Sequence, residues 1–392
     1  MVHHDTALFI ISGGNNKHDR PPDAAEDFLV SIATKTHAIV AELQGVPSEP
    51  LQFSDESRTR VEDQIIAYTY DKYLKTGDPT WPLLLPMTKS AVRAMDTVQV
   101  FLREGLPVTI DIEKFVVTGG SKRGWTTWLT GAVDDRVCAV APVVIDMLNT
   151  VPQMDRQLEY YGAYSVAVGD YTAFNIQERM KTPEGQKLLS IVDPYEYRDV
   201  LTMPKFVMLG SGDQYWTADS ANLYYDDLVG DKWIRYEPNA DHSVMKSPDF
   251  LPALTAFFYN MANGYPMPEF SAKVHRNGRF RIEAVDPPSA VYVWQASAPT
   301  KDFRLMTIGP EWTKEAVDDS GGGVFKGKVA APDEGYTAFY VEVVYPCELG
   351  FNYGLTTEIC IPSPANPIFA IALLALPFVL IIVGGVVWIR RS

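Results

Sequence analysis

Three cysteines, Cys138, Cys347 and Cys360, are too few in 392 residues for a disulfide scaffold or a cysteine-rich metal site. Cys138 lies in the apolar run VCAVAPVVI and reads as a buried free thiol. Cys347 and Cys360 share a β-rich stretch and could close one bridge if that stretch faces an oxidising compartment. Neither H-E-x-x-H nor Cys-x-x-Cys occurs, His3 and His4 read as a frayed chain end, and no metal or cofactor is expected. Runs of Lys and Arg are missing as well, and the net charge is −15. That excludes general nucleic-acid binding, because a phosphate backbone is held by clustered cations. A P-loop pattern and an N-x-[ST] sequon are also absent.

What is present is ordinary globular usage, 46% apolar and 21% charged, at a length that allows one large domain and a smaller one. The exception is the C-terminal end. Residues 368–389, IFAIALLALPFVLIIVGGVVWI, carry no charge over 22 positions, and a helix of about 20 such residues crosses a bilayer. Arg390 and Arg391 follow at once, whereas no Lys or Arg lies between Val329 and the run, so the basic tail is expected in the cytoplasm and the body outside it, extracellular or lumenal. Setting the two tail arginines aside, the charge on the rest is −17, and a body so acidic is expected to be repelled by an anionic membrane surface. The opening MVHHDTALFIISGG has no basic region and a short apolar core, ALFII, so it does not read as a secretion signal. Either the natural start lies upstream, which we favour, or the chain is tail-anchored in the opposite orientation.

Along the first 270 residues, apolar runs alternate with helical patterns. TALFIIS (6–12), HAIVAEL (37–43), KFVVTGG (114–120), VCAVAPVVI (137–145), KFVMLGSG (205–212) and KWIRYEP (232–238) read as strands covered on both faces, as in a parallel sheet. Helices are expected at 22–35, 56–75, 88–104, 124–132, 216–228 and 249–262. Residues 150–203 interrupt the alternation and read as a helical cap. After Pro268 seven short strand-like runs suggest a small β-sandwich. The expected fold is α/β with a mostly parallel sheet: a hydrolase-like domain at 1–268 with its cap at about 150–203, a β-sandwich-like module at 269–362, a linker at 363–367, a transmembrane helix at 368–389 and a tail at 390–392.

The most informative run is FVVTGGSKRGWTTWL, where an apolar strand ends in Gly119 and Gly120, Ser121 follows and a helical stretch begins. This is the strand-turn-helix setting of a nucleophile elbow, although G-x-S-x-x-G replaces the usual G-x-S-x-G and Arg123 stands where a small residue is usual. In a hydrolase sheet the acid and then the histidine must follow, each leaving the end of a later strand. KFVMLGSGD supplies Asp213 and KWIRYEPNADH supplies His242. His275 is the other histidine after Asp213 but falls in the β-rich part. Ser121 is therefore the candidate nucleophile, His242 the base and Asp213 its orienting acid. Gly13 and Gly14, after the first strand, are expected to add an oxyanion donor, and Lys122 a positive charge beside it. Asp219 and Asp241 read as caps or turn residues, Trp125 and Trp128 as packing between helix and sheet, and the tyrosines of EYYGAYSVAVGDY as packing or pocket lining.

These residues carry a family resemblance. The runs RVEDQIIAYTYDKYL, LLLPMTKSAVRAMDTVQ, VVTGGSKRGWTTWLTGAVDDRV, VVIDMLN, DPYEYRDVLTMPKFVMLGSGDQYW, YEPNADHS and VYVWQASAPTKDFR resemble the PhoPQ-activated pathogenicity-related protein family, which includes autocrine proliferation repressors. The likeness runs from about Thr6 to past Arg304. It implies an α/β-hydrolase akin to glucuronoyl esterases and peptidases, in which a basic residue follows the nucleophile as Lys122 follows Ser121. Ser121, Asp213 and His242 fall on its triad positions. Members usually have a region before the strand that corresponds to TALFIIS, so the first antiparallel strands are expected to be missing and one sheet edge uncovered. A membrane span is not general to the family. The sequence thus implies a membrane-anchored serine hydrolase, an esterase or an amidase or peptidase, of unspecified substrate. A non-enzymatic signalling or adhesion protein on a hydrolase fold is the alternative.

Overall fold

The computed structural model describes residues 5–17 and 22–363. The expected span at 368–389, its flanking residues from 364 and the tail lie outside the described residues. Among the described residues no helix is long and apolar enough to cross a membrane.

The chain begins with β1 (Thr6–Ile11), α1 (Asp27–Thr36), β2 (Val40–Leu43), a small hairpin of β3 (Leu51–Gln52) and β4 (Thr59–Arg60), then α2 (Asp63–Thr76) and α3 (Leu84–Glu104). It continues through β5 (Lys114–Gly120), α4 (Lys122–Val133) and β6 (Val137–Val143) into a cap of α5 (Thr150–Tyr161), α6 (Gly169–Thr172), α7 (Ile176–Arg179) and α8 (Pro183–Val192). β7 (Lys205–Gly210), β8 (Lys232–Glu237) and α9 (Phe250–Asn263) follow. The C-terminal part holds β9 (Phe270–Val274), β10 (Arg279–Ala284), β11 (Ala290–Ala298), α10 (Leu305–Ile308), β12 (Thr313–Ala316), β13 (Val324–Lys328), β14 (Tyr336–Pro346) and β15 (Asn352–Thr356).

The strands β2-β1-β5-β6-β7-β8 form a parallel sheet in that order. Alternation along each strand divides the core. Phe9, Phe115, Val117, Val207 and Leu209 point to the side covered by α3, α4 and the cap, while Leu8, Ile10, Val116, Phe206 and Met208 point to α1 and α9. Burial on both faces is what made these strands readable as apolar runs. Among the described residues β2 ends the sheet on one side. This order, with the strand that leads to Ser121 near its centre, is that of an α/β-hydrolase fold.

On the other side the structure revises the sequence reading. Residues 269–362 do form two stacked antiparallel layers, but one layer is the main sheet itself, because β15, β14, β11 and β12 continue it beyond β8 to make ten strands. The other layer, β13-β10-β9, sets Phe280, Ile282 and Phe325 against Phe339, Val341 and Val343. Local alternation marks each strand but not its neighbour, so the continuity could not be read. The segment 216–228 is also not the expected α-helix but two short 3₁₀ turns, Ser220–Leu223 and Tyr225–Asp227. Its polar groups bond elsewhere: Asn222 Nδ2 donates to the Ile359 carbonyl at 3.0 Å, and the Asp219 carbonyl accepts from Arg156 at 2.8 Å. Cys138, Cys347 and Cys360 are free thiols, all partly buried, so the possible Cys347–Cys360 bridge is not formed.

The seam between β8 and β15 has one paired position, Thr356 opposite Ile234. A buried charge cluster fastens it. Arg235 on β8 is fully buried and donates to Glu237 at 2.5 Å, to Glu342 of β14 at 3.2 Å and to the Gly354 carbonyl of β15 at 3.0 Å. Removing one partner of such a group strands the others without compensation, at a cost of about 3–5 kcal/mol. Arg235→Leu should therefore lower the free energy of unfolding in denaturant titrations by about that amount.

Candidate active site

Strand β5 delivers Ser121 to the carboxyl end of the sheet. The serine has φ 60° and ψ −127°, a conformation that side chains other than glycine rarely adopt and that costs about 1–3 kcal/mol. It is held there from both sides: its N–H donates to the Val143 carbonyl at 2.8 Å, and its carbonyl accepts from Trp125 N–H at 3.0 Å. The two glycines of the motif are needed for close approach. A Cβ on Gly119 would meet the Arg123 carbonyl oxygen at 2.8 Å, and one on Gly124 would meet the Val143 oxygen at 2.9 Å. The spacing G-x-S-x-x-G therefore does the steric work of an elbow, with Gly124 one residue later than usual.

The three side chains singled out in the sequence meet at this rim. His242 Nε2 lies 2.7 Å from Ser121 Oγ, and His242 Nδ1 lies 2.8 Å from Asp213 Oδ2. A carboxylate can only accept, so Nδ1 carries the proton and Nε2 is free to accept from the serine hydroxyl. Asp213 Oδ1 accepts from Tyr215 N–H at 2.8 Å, and the Tyr215 ring lies 4.3 Å from the imidazole. Asp213 is 5% exposed, whereas the His242 side chain keeps 16% exposure. The histidine loop turns at Asn239, φ 55°, which donates its N–H to Ser211 Oγ at 3.0 Å and so ties the histidine loop to the acid loop.

Of the two rival acids, read as cap or turn residues, Asp241 makes a turn contact, whereas the Asp219 side chain caps no backbone N–H and binds side chains instead. Asp241 accepts from Ser243 N–H at 2.7 Å, and Asp219 from Tyr160 OH at 2.9 Å. Sequence reasoning passed over Asp146, three residues beyond β6 at the same rim. It is buried, and burial pushes its carboxyl well above the ordinary range. The carboxyl that contacts His242 Nδ1 is nonetheless that of Asp213.

Lys122 and Arg123 are buried rather than solvated. Both meet Glu62, the residue just before α2. Arg123 makes a two-pronged pair with it, 2.8 Å at each oxygen, while Lys122 Nζ is paired with Glu62 and lies 3.5 Å from Asp63. Arg123 Nε also donates to the Val46 carbonyl. Its guanidinium packs beneath Gly13, where a Cβ would be 2.7 Å from Nη2. Gly13 and Gly14 therefore do not border the serine cavity, contrary to the expectation of an oxyanion donor there. The wall on that side is Lys122 and Asp63. The Lys122 N–H opens α4 and is one of the four amides without a partner inside the helix. Glu62 and Asp63 were missed because a Glu-Asp pair at the start of a helical pattern reads as ordinary helix-end acidity, and nothing local links it to cations about sixty positions on.

The cavity has Ser121, Lys122 and His242 at its polar end. Its walls are mostly apolar: Trp125, Ile145 and Met147 from the sheet side, Met154, Ile176 and Met180 from the cap, and Trp216. Of the tyrosine-rich stretch, Tyr171 reaches the wall and donates to Asp63 at 3.0 Å. Trp125 both lines the cavity and donates Nε1–H to the Val192 carbonyl, and Trp128 is fully buried in the core. Among the described residues no cluster of His, Cys, Asp and Glu could hold a metal ion.

The sequence pattern of the PhoPQ-activated pathogenicity-related protein family fits residues 1–304. The chain belongs to this family. Autocrine proliferation repressor protein A of Dictyostelium discoideum is 31% identical over 363 residues, which cover 87% of this chain and 73% of that protein. Among solved structures, the acetyl xylan esterase from Paenibacillus sp. R4 is similar at 16% identity and TM-score 0.47, over 66% of this chain and 74% of the esterase. The acylaminoacyl peptidase of Pyrococcus horikoshii is similar at 14% identity and TM-score 0.42, over 67% of this chain and 38% of that one.

Burial alone would raise the Glu62 carboxyl, but Arg123 and Lys122 outweigh it and hold it down at about 2. Since this lies below its ordinary 4.5, the pairing stabilises the fold fully above about pH 4.5, and the benefit is lost as pH falls through about 2. Glu62→Gln should therefore melt below the parent chain at neutral pH. The gap in thermal midpoint should stay open to about pH 4.5 and close toward pH 2.

Proposed function

We propose that this chain is a serine hydrolase that cleaves an ester or amide and is tethered to a membrane through residues 368–389, with the body extracellular or lumenal and Arg390 and Arg391 in the cytoplasm. The observation that carries the enzymatic reading is the contact chain Ser121 Oγ, His242 and Asp213, at 2.7 and 2.8 Å, on a serine forced to φ 60°. In this mechanism His242 Nε2 takes the Ser121 proton as the hydroxyl attacks the carbonyl carbon. Asp213 keeps the imidazole in the right tautomer and steadies its positive charge. The Lys122 N–H donates to the oxyanion at the start of α4. Collapse of the tetrahedral intermediate breaks the bond to the leaving alcohol or amine, which takes the proton from His242. Water activated by the same imidazole then cleaves the acyl-enzyme. No cofactor enters these steps.

The apolar walls support a substrate with a hydrophobic part beside the reacting carbonyl, since burying such a group contributes about 25 cal/mol per Å². The cap, which supplies much of the wall, is the element that would set specificity. A second reading comes from the repressor name of the relative, namely a signalling protein that keeps the hydrolase site as a relic.

A fluorophosphonate probe applied to membranes carrying the full chain separates the two. The hydrolase reading expects labelling at Ser121, none in Ser121→Ala, and a rate lower by about 10²–10⁴-fold in His242→Ala. A folded chain that takes no label, or that labels equally without the Ser121 hydroxyl, would leave the signalling reading alone.

A further inference from the structure

The three-stranded sheet of this acidic chain carries a basic face. β13, β10 and β9 pair so that Lys326, Arg281 and Lys273 lie directly opposite one another across the three strands. Two residues along, Lys328 faces Arg279. The intervening Phe280, Ile282 and Phe325 point the other way, into the core, so all five cations share the outward side. Lys273, Arg279, Lys326 and Lys328 are exposed, and the Arg281 side chain is 42% exposed.

Acid groups offset only part of the charge on this face. Glu283, on the same side of β10, pairs with Arg281 at 2.6 Å. Asp319, in the turn before β13, spends its carboxylate on the N–H groups of Gly321, Gly323 and Val324. Among the described residues Lys273, Arg279, Lys326 and Lys328 make no ion pair. Like charges set directly opposite weaken strand pairing, so the fold bears a penalty here that folding alone does not explain.

The described residues end beside this same sheet. Ser363 N–H donates to the Arg276 carbonyl at 2.9 Å, beside the turn that joins β9 to β10. Residues 364–367 then separate it from the uncharged run that begins at Ile368. Four extended residues reach about 14 Å. A bilayer entered at Ile368 therefore lies within a short tether of the five cations.

We propose that the outer face of the β13-β10-β9 sheet docks on the anionic lipid headgroups of the membrane that receives residues 368–389, and thereby orients the body on that membrane. The inference rests on reading that segment as a span. It also reverses, for this one face, the repulsion expected from the overall charge. On a chain of net charge −15 this side is the one that attraction to an anionic bilayer favours, so charge selects the orientation and the tether supplies the proximity.

The test uses the full chain, purified in non-ionic detergent and reconstituted into vesicles of phosphatidylcholine alone or mixed with phosphatidylglycerol. Flotation after alkaline carbonate extraction reports the span. Acetylation of Lys273, Lys326 and Lys328, measured against the exposed Lys187 on α8, reports the docking. The expected result is flotation with both vesicles, and acetylation of the three lysines at least about threefold slower in the mixed vesicles only, recovering in about 0.5 M salt. Arg279→Glu combined with Arg281→Glu, which leaves the three lysines readable, should abolish the protection. Equal acetylation in both vesicles at low salt overturns the proposal. Salt-sensitive flotation with mixed vesicles alone overturns the span reading and upholds the docking, and flotation with neither overturns both. Protection by heparin without protection by lipid also overturns it, in favour of a polyanionic glycan.

Discussion

A strained serine between a strand and a helix is tenable only if strand and helix nearly touch. Everything at the rim of this sheet follows from that constraint. Gly119 and Gly124 remove the two side chains that would keep α4 away from β5 and β6, and the Val143 carbonyl accepts the serine N–H that the turn would otherwise leave unpaired. Because the backbone there has no slack, the hydroxyl has one place to point. The imidazole is brought to it by loops that are themselves laced together, Asn239 bonding to Ser211 across adjacent strand ends.

Charge is arranged with similar economy. The chain is acidic overall, yet several of its cations are inside, each with several partners. Lys205 is fully buried and donates to the carbonyls of Leu201, Met203 and Val229, while burial pushes its ammonium down to about 8. Arg235 joins the parallel and antiparallel halves of the sheet. Lys122 and Arg123 join the elbow to α2 through Glu62. The exposed rows on β9, β10 and β13 contrast with these buried cations, since Lys273, Arg279, Lys326 and Lys328 have no ion-pair partner among the described residues.

The sequence disclosed those parts of the fold in which local pattern and tertiary role coincide. Strands buried on both faces read as apolar runs, and β5 was legible residue by residue because its apolar stretch ends in two glycines and a serine. Ser121, Asp213 and His242 could be proposed together because strand order constrains where an acid and a base can stand. Partners fixed only by long-range packing were not legible. That β15 would lie beside β8 depends on Thr356 and on the Arg235 cluster, more than a hundred residues apart in sequence. The true neighbours of Lys122, Glu62 and Asp63, carry no local mark, whereas Gly13 and Gly14 carry the mark of an oxyanion loop, and yet Gly13 packs on the Arg123 guanidinium and Gly14 on the Gly45 backbone.

The C-terminal strands are therefore not an appendage to a finished hydrolase domain. Leu305 N–H donates to the Gly212 carbonyl at 2.8 Å, one residue before Asp213, and Trp312 and Asn239 exchange two hydrogen bonds at 2.8 and 2.9 Å, three residues before His242. Both loops that carry the acid and the base thus lean on residues 305–312, which β11 and β12 hold at the end of the extended sheet. In a smaller hydrolase such loops would need their own packing to stay in register. Here the sheet that positions the serine also runs on to brace its partners, and its second layer faces outward with the basic rows. The outer layer and the site are thus built on one continuous sheet.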